Sequence, residues 1–340
     1  IYILMSKNYL VTGGCGFIGS YVVEELLKQP DVYIYNIDKL GIGSDANNIV
    51  NDPRVKNQFF DIANEEHWRM HMENPFEWIS KDLDYVLHLA AESHVDRSIS
   101  DPLAFINSNI VGTAKVLEIA KQHNARMVHV STDEVYGHLT AKQPPFKETN
   151  PLKPRSPYAA SKASSDLLVQ SYCTTYNLNA SITRCCNNYG PRQHSEKLIP
   201  TIIRSIVTGQ KIPVYGNGKN IREWIHASDH ARAIIEVAHK KAKNEIYNIT
   251  GSLTINNLDL IKLIIKEIEE KYPQFKRDKF EDYIEFVTDR KGHDFKYELQ
   301  SKHKLTYSLF GSTSKNFINI CSSVISVSTM SLSDVSSVSL

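Results

Sequence analysis

The sequence predicts an α/β protein built on a Rossmann-like, doubly wound parallel sheet, with a smaller C-terminal substrate-binding lobe. Two observations lead to this prediction. Short apolar segments alternate with helical segments over the first half of the chain, which is typical of a parallel sheet covered by helices. From Pro191 onward the pattern loosens into segments punctuated by glycine and proline, such as TGQKIPVYGNGKN, and this half is predicted to form the second lobe.

The predicted elements follow in chain order. Five segments are predicted to be strands: KNYLV, VYIYNID, DYVLHLAA, ARMVHV and NASITRC. Helices are predicted over YVVEELLKQ, over residues 102–123 and over residues 157–176. A further helix is predicted in SDHARAIIEVAHKKA, with Ser228 as its N-cap.

The composition argues against several classes of protein. The 340 residues carry a net charge of +1, which disfavours nucleic acid or an anionic membrane surface as the main partner. The five cysteines include no C-x-x-C pair, so we predict no disulfide framework, no metal site, and reduced thiols in a cytoplasmic protein. The apolar run IYILM is short and is followed by Lys7, so neither a secretory signal nor a membrane span is predicted.

Both ends of the sequence have an unusual composition. MSKNYLVTGG from Met5 would be a natural start, so residues 1–4 are predicted to lie upstream of the native protein. The final CSSVISVSTMSLSDVSSVSL has nine serines in twenty residues. Residues 305–340 are therefore predicted to form an atypical low-complexity tail.

The first motif with a chemical meaning is GGCGFIGS, between the first strand and the first helix. Gly13, Gly16 and Gly19 have the G-x-x-G-x-x-G spacing that short-chain dehydrogenases and reductases use to hold a dinucleotide at a helix N-terminus. Asp38 ends the second strand nineteen residues after Gly19 and can accept both ribose hydroxyls. Because a carboxylate there repels a 2′-phosphate, NAD is predicted rather than NADP. The alternative is a tight turn with an incidental aspartate.

The second motif is SPYAASKAS, which places Tyr158 and Lys162 four residues apart on one helix face. A nearby ammonium group favours the phenolate and is expected to lower the pKa of Tyr158 toward working pH. A tyrosine of this kind can act as general base for a sugar hydroxyl. The alternative is a chance Y-x-x-x-K on a solvated helix face.

The third motif, STDEVYG, follows the apolar segment ARMVHV. It brings Thr132, Asp133 and Glu134 to the carboxyl end of a predicted parallel strand, which is where open α/β sheets bind ligands. The alternative is an acidic turn that caps the next helix.

Over residues 5–304 the chain resembles the dTDP-glucose 4,6-dehydratase family of extended short-chain dehydrogenases/reductases, which is close to the UDP-glucose 4,6-dehydratases. The segments that carry the resemblance are VTGGCGFIGS, NIDKL, LHLAAESHVDRSI, HVSTDEVYG, SPYAASKASSD, NNYGPRQHSEKLIP, VYGNGKNIREWIHASDHARA and DRKGHD. The resemblance implies an NAD-binding Rossmann domain at residues 5–190 and a nucleotide-sugar-binding lobe at 191–304, with some segments returning to the first domain.

The resemblance also implies a reaction. Tyr158, supported by Lys162, would take the C4 hydroxyl proton while hydride passes to NAD. Thr132 would form a hydrogen bond with the C4 oxygen. Glu134 would then remove the C5 proton, and Asp133 would protonate the departing C6 hydroxyl. The product would be a 4-keto-6-deoxy sugar, an early intermediate of deoxysugars such as rhamnose. NAD would be tightly bound and regenerated in each cycle.

Further site residues are carried over individually from the family pattern. The residues expected to contact the cofactor, besides those of the motifs above, are Phe17, Ile18, Lys39, Asp61, Ile62, Leu89, Ala90, Ala91, Ser108 and Asn188. Those expected to contact substrate, besides Thr132, are Ser93, His94, Asn187, Lys197, Leu198, Tyr215, Arg222, Asn257 and His293. A cation at Arg222 suits a sugar-nucleotide diphosphate, whereas His94 and His293 have the alternative of purely structural roles.

Several alternatives remain open at the level of sequence. A nucleotide-sugar 4-epimerase or decarboxylase is the rival enzyme, and the Asp133–Glu134 pair is the feature that discriminates. A catalytically impaired NAD-binding protein is the rival of another class, because the family pattern is lost after about Lys304. Lys291 also replaces a usual proline, a change in loop stiffness that is expected to be tolerated. Thymidine and uridine nucleotides are not distinguished. The resemblance also implies a homodimer, paired through the helices at 102–123 and 157–176 in a four-helix bundle.

Overall fold

A computed structural model describes residues 6–72, 83–240, 243–290 and 292–302. Its centre is a seven-stranded sheet of β1 Lys7–Thr12, β2 Val32–Asp38, β3 Val55–Phe59, β4 Tyr85–His88, β5 Arg126–Thr132, β6 Ala180–Cys185 and β10 Ile246–Ile249. The order in the sheet is β10-β6-β5-β4-β1-β2-β3, and every pair is parallel. The predicted fold class, a doubly wound parallel sheet, is confirmed.

Helices cover both faces of this sheet, as the sequence predicts. They are α1 Phe17–Leu27, α2 Glu65–Met72, α3 Val95–Ser100, α4 Pro102–Phe105, α5 Gly112–Gln122, α6 Pro157–Thr175 and α8 Ala227–His239. Apolar side chains of α1 and α8 form one core layer against the sheet. Those of α2, α5 and α6 form the second layer on the opposite face. Two buried layers on one sheet are what a doubly wound topology requires.

All five predicted strands occur, and two strands of the sheet were missed. One is β3, whose sequence VKNQF is half polar because it forms the exposed edge of the sheet. The other is β10, which reaches the opposite edge from the C-terminal half of the chain and pairs with β6. No local periodicity signals such a long-range addition to a sheet.

Two helix predictions need correction. The helix expected over residues 102–123 is interrupted by a π-helical segment, Ile106–Val111, between α4 and α5. The expected N-cap Ser228 lies inside the first turn of α8 instead. His226 takes the cap position, because its Nδ1 accepts a hydrogen bond of 3.2 Å from the Ser228 backbone N–H.

The second lobe has its own small core. It contains β7 Asn187–Tyr189, β8 Ile212–Tyr215, β9 Ile221–His226, β11 Leu253–Asn256 and β12 Ile284–Val287, with the helices α7 Leu198–Val207 and α9 Asn257–Lys271. The strands form a three-stranded sheet, β11-β9-β7, and a two-stranded sheet, β12-β8. Isoleucines of α7 and α9 pack together in one buried cluster.

Residues 292–302, referred to below as the return segment, run from the second lobe back over the large sheet. Leu139 donates its backbone N–H to Lys296, and Phe146 donates to Glu298. The buried carboxylate of Glu223 on β9 accepts the backbone N–H of Leu299 at 3.0 Å. The return segment therefore ties the lobe to Leu139 and Phe146, in the chain that follows β5. The predicted features at residues 1–4, Lys291 and 305–340 lie outside the described residues.

Candidate active site

One cavity of about 310 Å³ lies at the carboxyl ends of the parallel strands. Every residue predicted to bind the cofactor lines this cavity, and so do all five predicted catalytic residues. The sheet topology explains why these residues lie together, because the ends of β1, β2, β4 and β5 are side by side in the sheet. Motifs that are far apart in sequence therefore open into one space.

The glycine turn at the end of β1 has no room for a side chain at Gly13 or Gly19. Gly13 has a φ of +79°, and a Cβ there would lie 2.7 Å from the backbone nitrogen of Ala90. A Cβ at Gly19 would overlap the carbonyl oxygen of Gly13. Among the described residues, no side chain caps the N-terminus of α1. This leaves its first backbone N–H groups to an anionic ligand, so the turn fits a dinucleotide pyrophosphate.

Asp38 lies at the end of β2 and is only 4% exposed. One carboxylate oxygen accepts the Leu40 backbone N–H at 2.9 Å and the Ser44 hydroxyl at 2.7 Å, and the other accepts the Cys15 backbone N–H at 3.0 Å. A carboxylate has about four acceptor positions. The protein therefore occupies three of them, which leaves one for a ribose hydroxyl, whereas the sequence suggested that both hydroxyls could bind.

Tyr158 and Lys162 lie one turn apart on α6, as predicted, and both are buried. The Ser156 hydroxyl caps this helix by accepting the Ala159 backbone N–H at 3.1 Å. The Lys162 ammonium donates to the Val130 carbonyl at 2.8 Å, and the Thr132 hydroxyl acts to lower the pKa of Tyr158. The helix thus presents the phenol to the end of β5.

The expected lowering of the Tyr158 pKa is wrong for the protein alone. Burial and the nearby Glu134 carboxylate raise the pKa of Tyr158 well above its ordinary value. Burial also lowers the pKa of Lys162 to about 8, against the opposing effect of Asp166. Because Lys162 points its ammonium at a backbone carbonyl, its charge does not offset the desolvation of the phenol. A further positive charge near Tyr158 is therefore required before the phenol loses its proton readily.

Asp133 and Glu134 form the start of a 3₁₀ turn, Asp133–Tyr136, directly after β5. The Thr132 hydroxyl accepts the Glu134 backbone N–H at 3.3 Å and donates to Asp133 Oδ1 at 3.2 Å. Among the described residues, Asp133 Oδ2 has no hydrogen-bond partner. The turn therefore holds both carboxyl groups at the cavity wall, with one oxygen of Asp133 available.

The two carboxyl groups have different electrostatic surroundings. Burial, and secondly the charge of Glu134, raise the pKa of Asp133 well above its ordinary value. Burial also raises the pKa of Glu134, but Arg222 and then Lys197 pull it down. Asp133 is therefore the better proton donor and Glu134 the better base. This separation of roles is typical of paired carboxyl groups that catalyse proton transfer.

The predicted substrate residues divide into two groups. Those that line the cavity are Ser93, His94, Thr132, Asn187 and Lys197. Those that lie outside its lining, in the second lobe, are Leu198, Tyr215, Arg222, Asn257 and His293. The two groups are connected, because the Lys197 ammonium donates to the Ser93 carbonyl at 3.0 Å and Leu198 follows as the first residue of α7.

Arg222 is held by the protein more closely than the sequence suggests. Its guanidinium donates to the carbonyls of Ile221, Asp294 and Phe295 at 2.8, 2.9 and 3.3 Å. It also lies 4.4 Å above the Tyr297 ring. These contacts fix a buried positive charge near the 3₁₀ turn Asp133–Tyr136, where it opposes the rise in the Asp133 pKa.

The remaining predicted substrate residues, His94 at the cavity and three residues of the second lobe, differ in their protein contacts. His293 is bonded to the Asp289 carboxylate at 2.6 Å, and His94 lies 3.4 Å from a Glu196 oxygen. Burial lowers the pKa of both histidines. Arg290 lies 4.5 Å above the Tyr215 ring, and within the described part of the chain Asn257 Oδ1 has no hydrogen-bond partner. The structural alternative for the two histidines therefore has contacts to support it.

Two acidic residues near the site were missed by the sequence analysis. Asp166 lies one turn beyond Lys162 on α6, is fully buried, and accepts from Arg184 Nε at 2.8 Å. Its spacing from Lys162 was a signal that could have identified it. Glu92 lines the cavity and pairs with Lys39 at 2.7 Å. Nothing in the local sequence around Glu92 predicts that pair.

Comparison with known proteins agrees with this geometry. The family model for GDP-mannose 4,6 dehydratase matches residues 10–309. A dTDP-glucose 4,6-dehydratase of Haemophilus influenzae is 42% identical over 307 residues, covering 86% of this chain and 89% of that protein.

Two solved structures are similar over nearly the whole chain. A dTDP-glucose 4,6-dehydratase from Streptomyces venezuelae, crystallised with NAD bound, superposes with a TM-score of 0.83 at 38% identity, covering 93% of this chain and 96% of that one. The corresponding enzyme of Bacillus anthracis, in complex with NAD, gives a TM-score of 0.79 at 34% identity with the same coverage. Both similarities extend across the large sheet and the second lobe.

Proposed function

The chain belongs to the nucleotide-sugar 4,6-dehydratase family, and from this premise we propose that it catalyses the NAD-dependent dehydration of dTDP-glucose. It is a hydro-lyase, and its product is the 4-keto-6-deoxy sugar. The observation that carries the proposal is the Asp133–Glu134 pair beside Tyr158 in one cavity. The curated relatives of this chain carry the same activity in their names.

The residues of the cavity fit NAD as cofactor. The glycine turn would hold the pyrophosphate, Asp38 would accept a ribose hydroxyl, and Tyr158 with Lys162 would border the nicotinamide end. If bound there, NAD would supply a hydride acceptor for C4 in its oxidised form and a hydride donor for C6 once reduced, and the oxidised nicotinamide would bring a positive charge to this end of the cavity. That charge opposes the desolvation that raises the Tyr158 pKa.

The side chains then divide the proton transfers between them. Tyr158 takes the proton of the C4 hydroxyl, and the Thr132 hydroxyl assists because it lowers the pKa of the phenol. The C4 ketone acidifies the C5 hydrogen, and Glu134 removes it as a proton. Asp133, whose pKa is raised by burial, donates its proton to the C6 hydroxyl, which leaves as water. Glu134 then returns its proton to C5 when hydride adds at C6.

The Asp133–Glu134 pair also separates this reaction from that of the rival enzymes. A 4-epimerase oxidises and reduces the sugar at C4, for which Tyr158 and the cofactor suffice. Elimination of water across C5 and C6 additionally needs one acid and one base. Burial raises the pKa of Asp133 with the charge of Glu134 adding to the rise, whereas Arg222 and Lys197 oppose the rise in the pKa of Glu134. This difference suits an acid and a base for dehydration, which an epimerase does not need.

Proton NMR of the purified protein with dTDP-glucose tests the proposal. We expect a C6 methyl doublet to appear without net consumption of NAD, since the hydride taken from C4 returns to C6. A parallel incubation with UDP-glucose measures the preference for the nucleotide base. A C4-epimerised sugar without a methyl signal would support the epimerase instead, and bound NAD without any turnover would support a non-catalytic protein.

We further propose that the protein is a homodimer, as expected for its family. The support is a set of exposed apolar side chains on the helices at 95–111 and on α6. They are Ile99, Leu103, Ile106, Val111 and Leu167, of which Leu103 is 72% and Leu167 58% exposed. Apolar side chains at this level of exposure are typical of a helical interface.

Light scattering of a double variant tests the dimer. Leu103→Glu with Leu167→Glu is expected to shift the mass from twice 38.6 kDa toward a single chain of 38.6 kDa, because two charges would be buried unpaired. Phe286→Glu, at a residue 57% exposed on β12 in the second lobe, is the matched control and should leave the mass unchanged. A double variant that keeps the wild-type mass would contradict this interface.

A cytoplasmic location is also proposed. It is supported by the four cysteines in the described part of the chain, Cys15, Cys173, Cys185 and Cys186, which are all free thiols. Among the described residues, no helix combines the length and apolarity needed to cross a bilayer. Cell fractionation with an antibody to the protein tests this proposal.

A further inference from the structure

An ion pair joins two residues that line the cavity beside the glycine turn, a part of the cavity called the dinucleotide groove below. The Lys39 ammonium is 2.7 Å from Glu92 Oε1 and 3.8 Å from Asp61 Oδ2. All three side chains line the same cavity as the glycine turn. They are partly shielded from water, with Lys39 32% and Glu92 21% exposed.

The sheet topology defines where this pair must lie. Lys39 directly follows β2, Glu92 follows β4, and β1 lies between those two strands. Neighbouring strands are about 4.8 Å apart, so the ends of β2 and β4 are separated by about 10 Å. The pair spans that gap across the carboxyl end of β1, which is where the glycine turn Gly13–Gly19 begins.

A bound dinucleotide has to cross the same gap. Its adenosine ribose end is assigned to Asp38 beside β2, and its nicotinamide end to Tyr158 and Lys162 beside β5. The cofactor therefore passes the end of β1, where Lys39 and Glu92 meet. We propose that Lys39 and Glu92 form a clasp over the dinucleotide groove that slows release of the bound NAD.

The clasp rests on the proposed function and suits its chemistry. Because the hydride taken from the sugar returns to it, the reaction ends with the cofactor in its starting state and needs no exchange of NAD between cycles. A contact that retards exchange therefore does not slow turnover. In an enzyme that releases a reduced cofactor after each cycle, such a contact would lower the turnover rate.

The backbone of Glu92 is fixed independently of its carboxylate. Its N–H donates to Asn109 Oδ1 at 2.8 Å, and its carbonyl accepts from Asn109 Nδ2 at 3.0 Å. Asn109 lies in the π-helical segment and also donates to the Ser161 hydroxyl at 2.8 Å. Neutralising Glu92 should therefore open the clasp without moving the loop that carries it.

The test measures the release rate of the cofactor. Enzyme loaded with NADH is mixed with an excess of NAD, and the loss of bound NADH fluorescence gives the rate constant. Lys39→Gln and Glu92→Gln should each accelerate release about fivefold, the effect of losing a partly exposed ion pair. The charge-swapped double variant, Lys39→Glu with Glu92→Lys, should restore slow release.

A matched control and two contrary outcomes make the test decisive. Glu65→Gln removes the partner of Lys115, an ion pair of the same 2.7 Å length outside the cavity, and should leave the release rate unchanged. If only Lys39→Gln accelerates release while Glu92→Gln slows it, Lys39 anchors the phosphates and the clasp is wrong. A charge-swapped variant that still releases rapidly would also overturn it.

Failure of the clasp is distinguishable from failure of the proposed function. NADH that binds but leaves all variants at one rate would overturn the clasp and leave the cofactor assignment intact. Wild-type protein that binds no NADH at all would overturn both. Thermal unfolding of each variant checks that the fold has survived the substitution.

Discussion

The Asp133→Asn variant is expected to oxidise dTDP-glucose at C4 yet release almost no dehydrated product. Asparagine keeps the size of the side chain but has no acidic proton to give to the C6 hydroxyl. Loss of a positioned general acid costs about 100- to 10,000-fold in rate, so the C6 methyl doublet should nearly disappear. The absorbance of reduced nicotinamide should still rise on mixing, because Tyr158 and Lys162 are unchanged.

The control for this variant is a buried acid outside the cavity. Glu148 is 6% exposed, and its carboxylate accepts the backbone N–H of Asn248 at 3.2 Å and of Lys302 at 3.0 Å. Glu148→Gln keeps an acceptor oxygen and should leave oxidation and dehydration coupled. If a folded Asp133→Asn protein loses both steps equally, Asp133 acts in C4 oxidation and the assignment of the acid is wrong.

The Tyr158→Phe variant is expected to lose both steps, since it removes the base that begins the cycle. Without the phenol, the proton of the C4 hydroxyl has no acceptor as hydride leaves, and the rate should fall by about 100- to 10,000-fold. A stopped-flow record of nicotinamide absorbance after mixing with dTDP-glucose measures this step directly. Bound NAD should be retained, because the glycine turn and Asp38 are intact.

Tyr9→Phe is the matched control for that variant. Tyr9 is fully buried at the start of β1 and bonds through its phenol to His239 Nε2 at 2.7 Å, away from the cavity. The control should keep wild-type oxidation. Rapid nicotinamide reduction in Tyr158→Phe would show that another group takes the C4 proton.

The sequence was most informative where function depends on short-range spacing. The glycine turn, Asp38 and the Tyr158–Lys162 pair all lie where strand and helix ends were expected. Each of these motifs couples a residue type to a fixed position in an element, so local pattern was sufficient. The roles assigned to Asp133 and Glu134 by resemblance acquire a physical basis only from their burial and neighbouring charges.

The features that escaped prediction depend on residues distant in sequence. The pKa of Tyr158 follows from its burial and from Glu134, neither of which helix spacing reveals. Arg222 was predicted to meet a diphosphate, but carbonyls of the return segment hold its guanidinium. The pairing of Lys39 with Glu92 depends on the order of strands in the sheet, which a one-dimensional pattern does not contain.

The return segment has a consequence for how this protein folds. Leu139 and Phe146 find their backbone partners at Lys296 and Glu298, about 150 residues later in the chain, and β6 is covered at the sheet edge only when β10 arrives. Contacts between such distant residues make folding slow. During synthesis the first six strands would therefore form with β6 as an unprotected edge, a state prone to association with other chains. We accordingly expect the nascent enzyme to depend on chaperones until the residues near 300 have emerged.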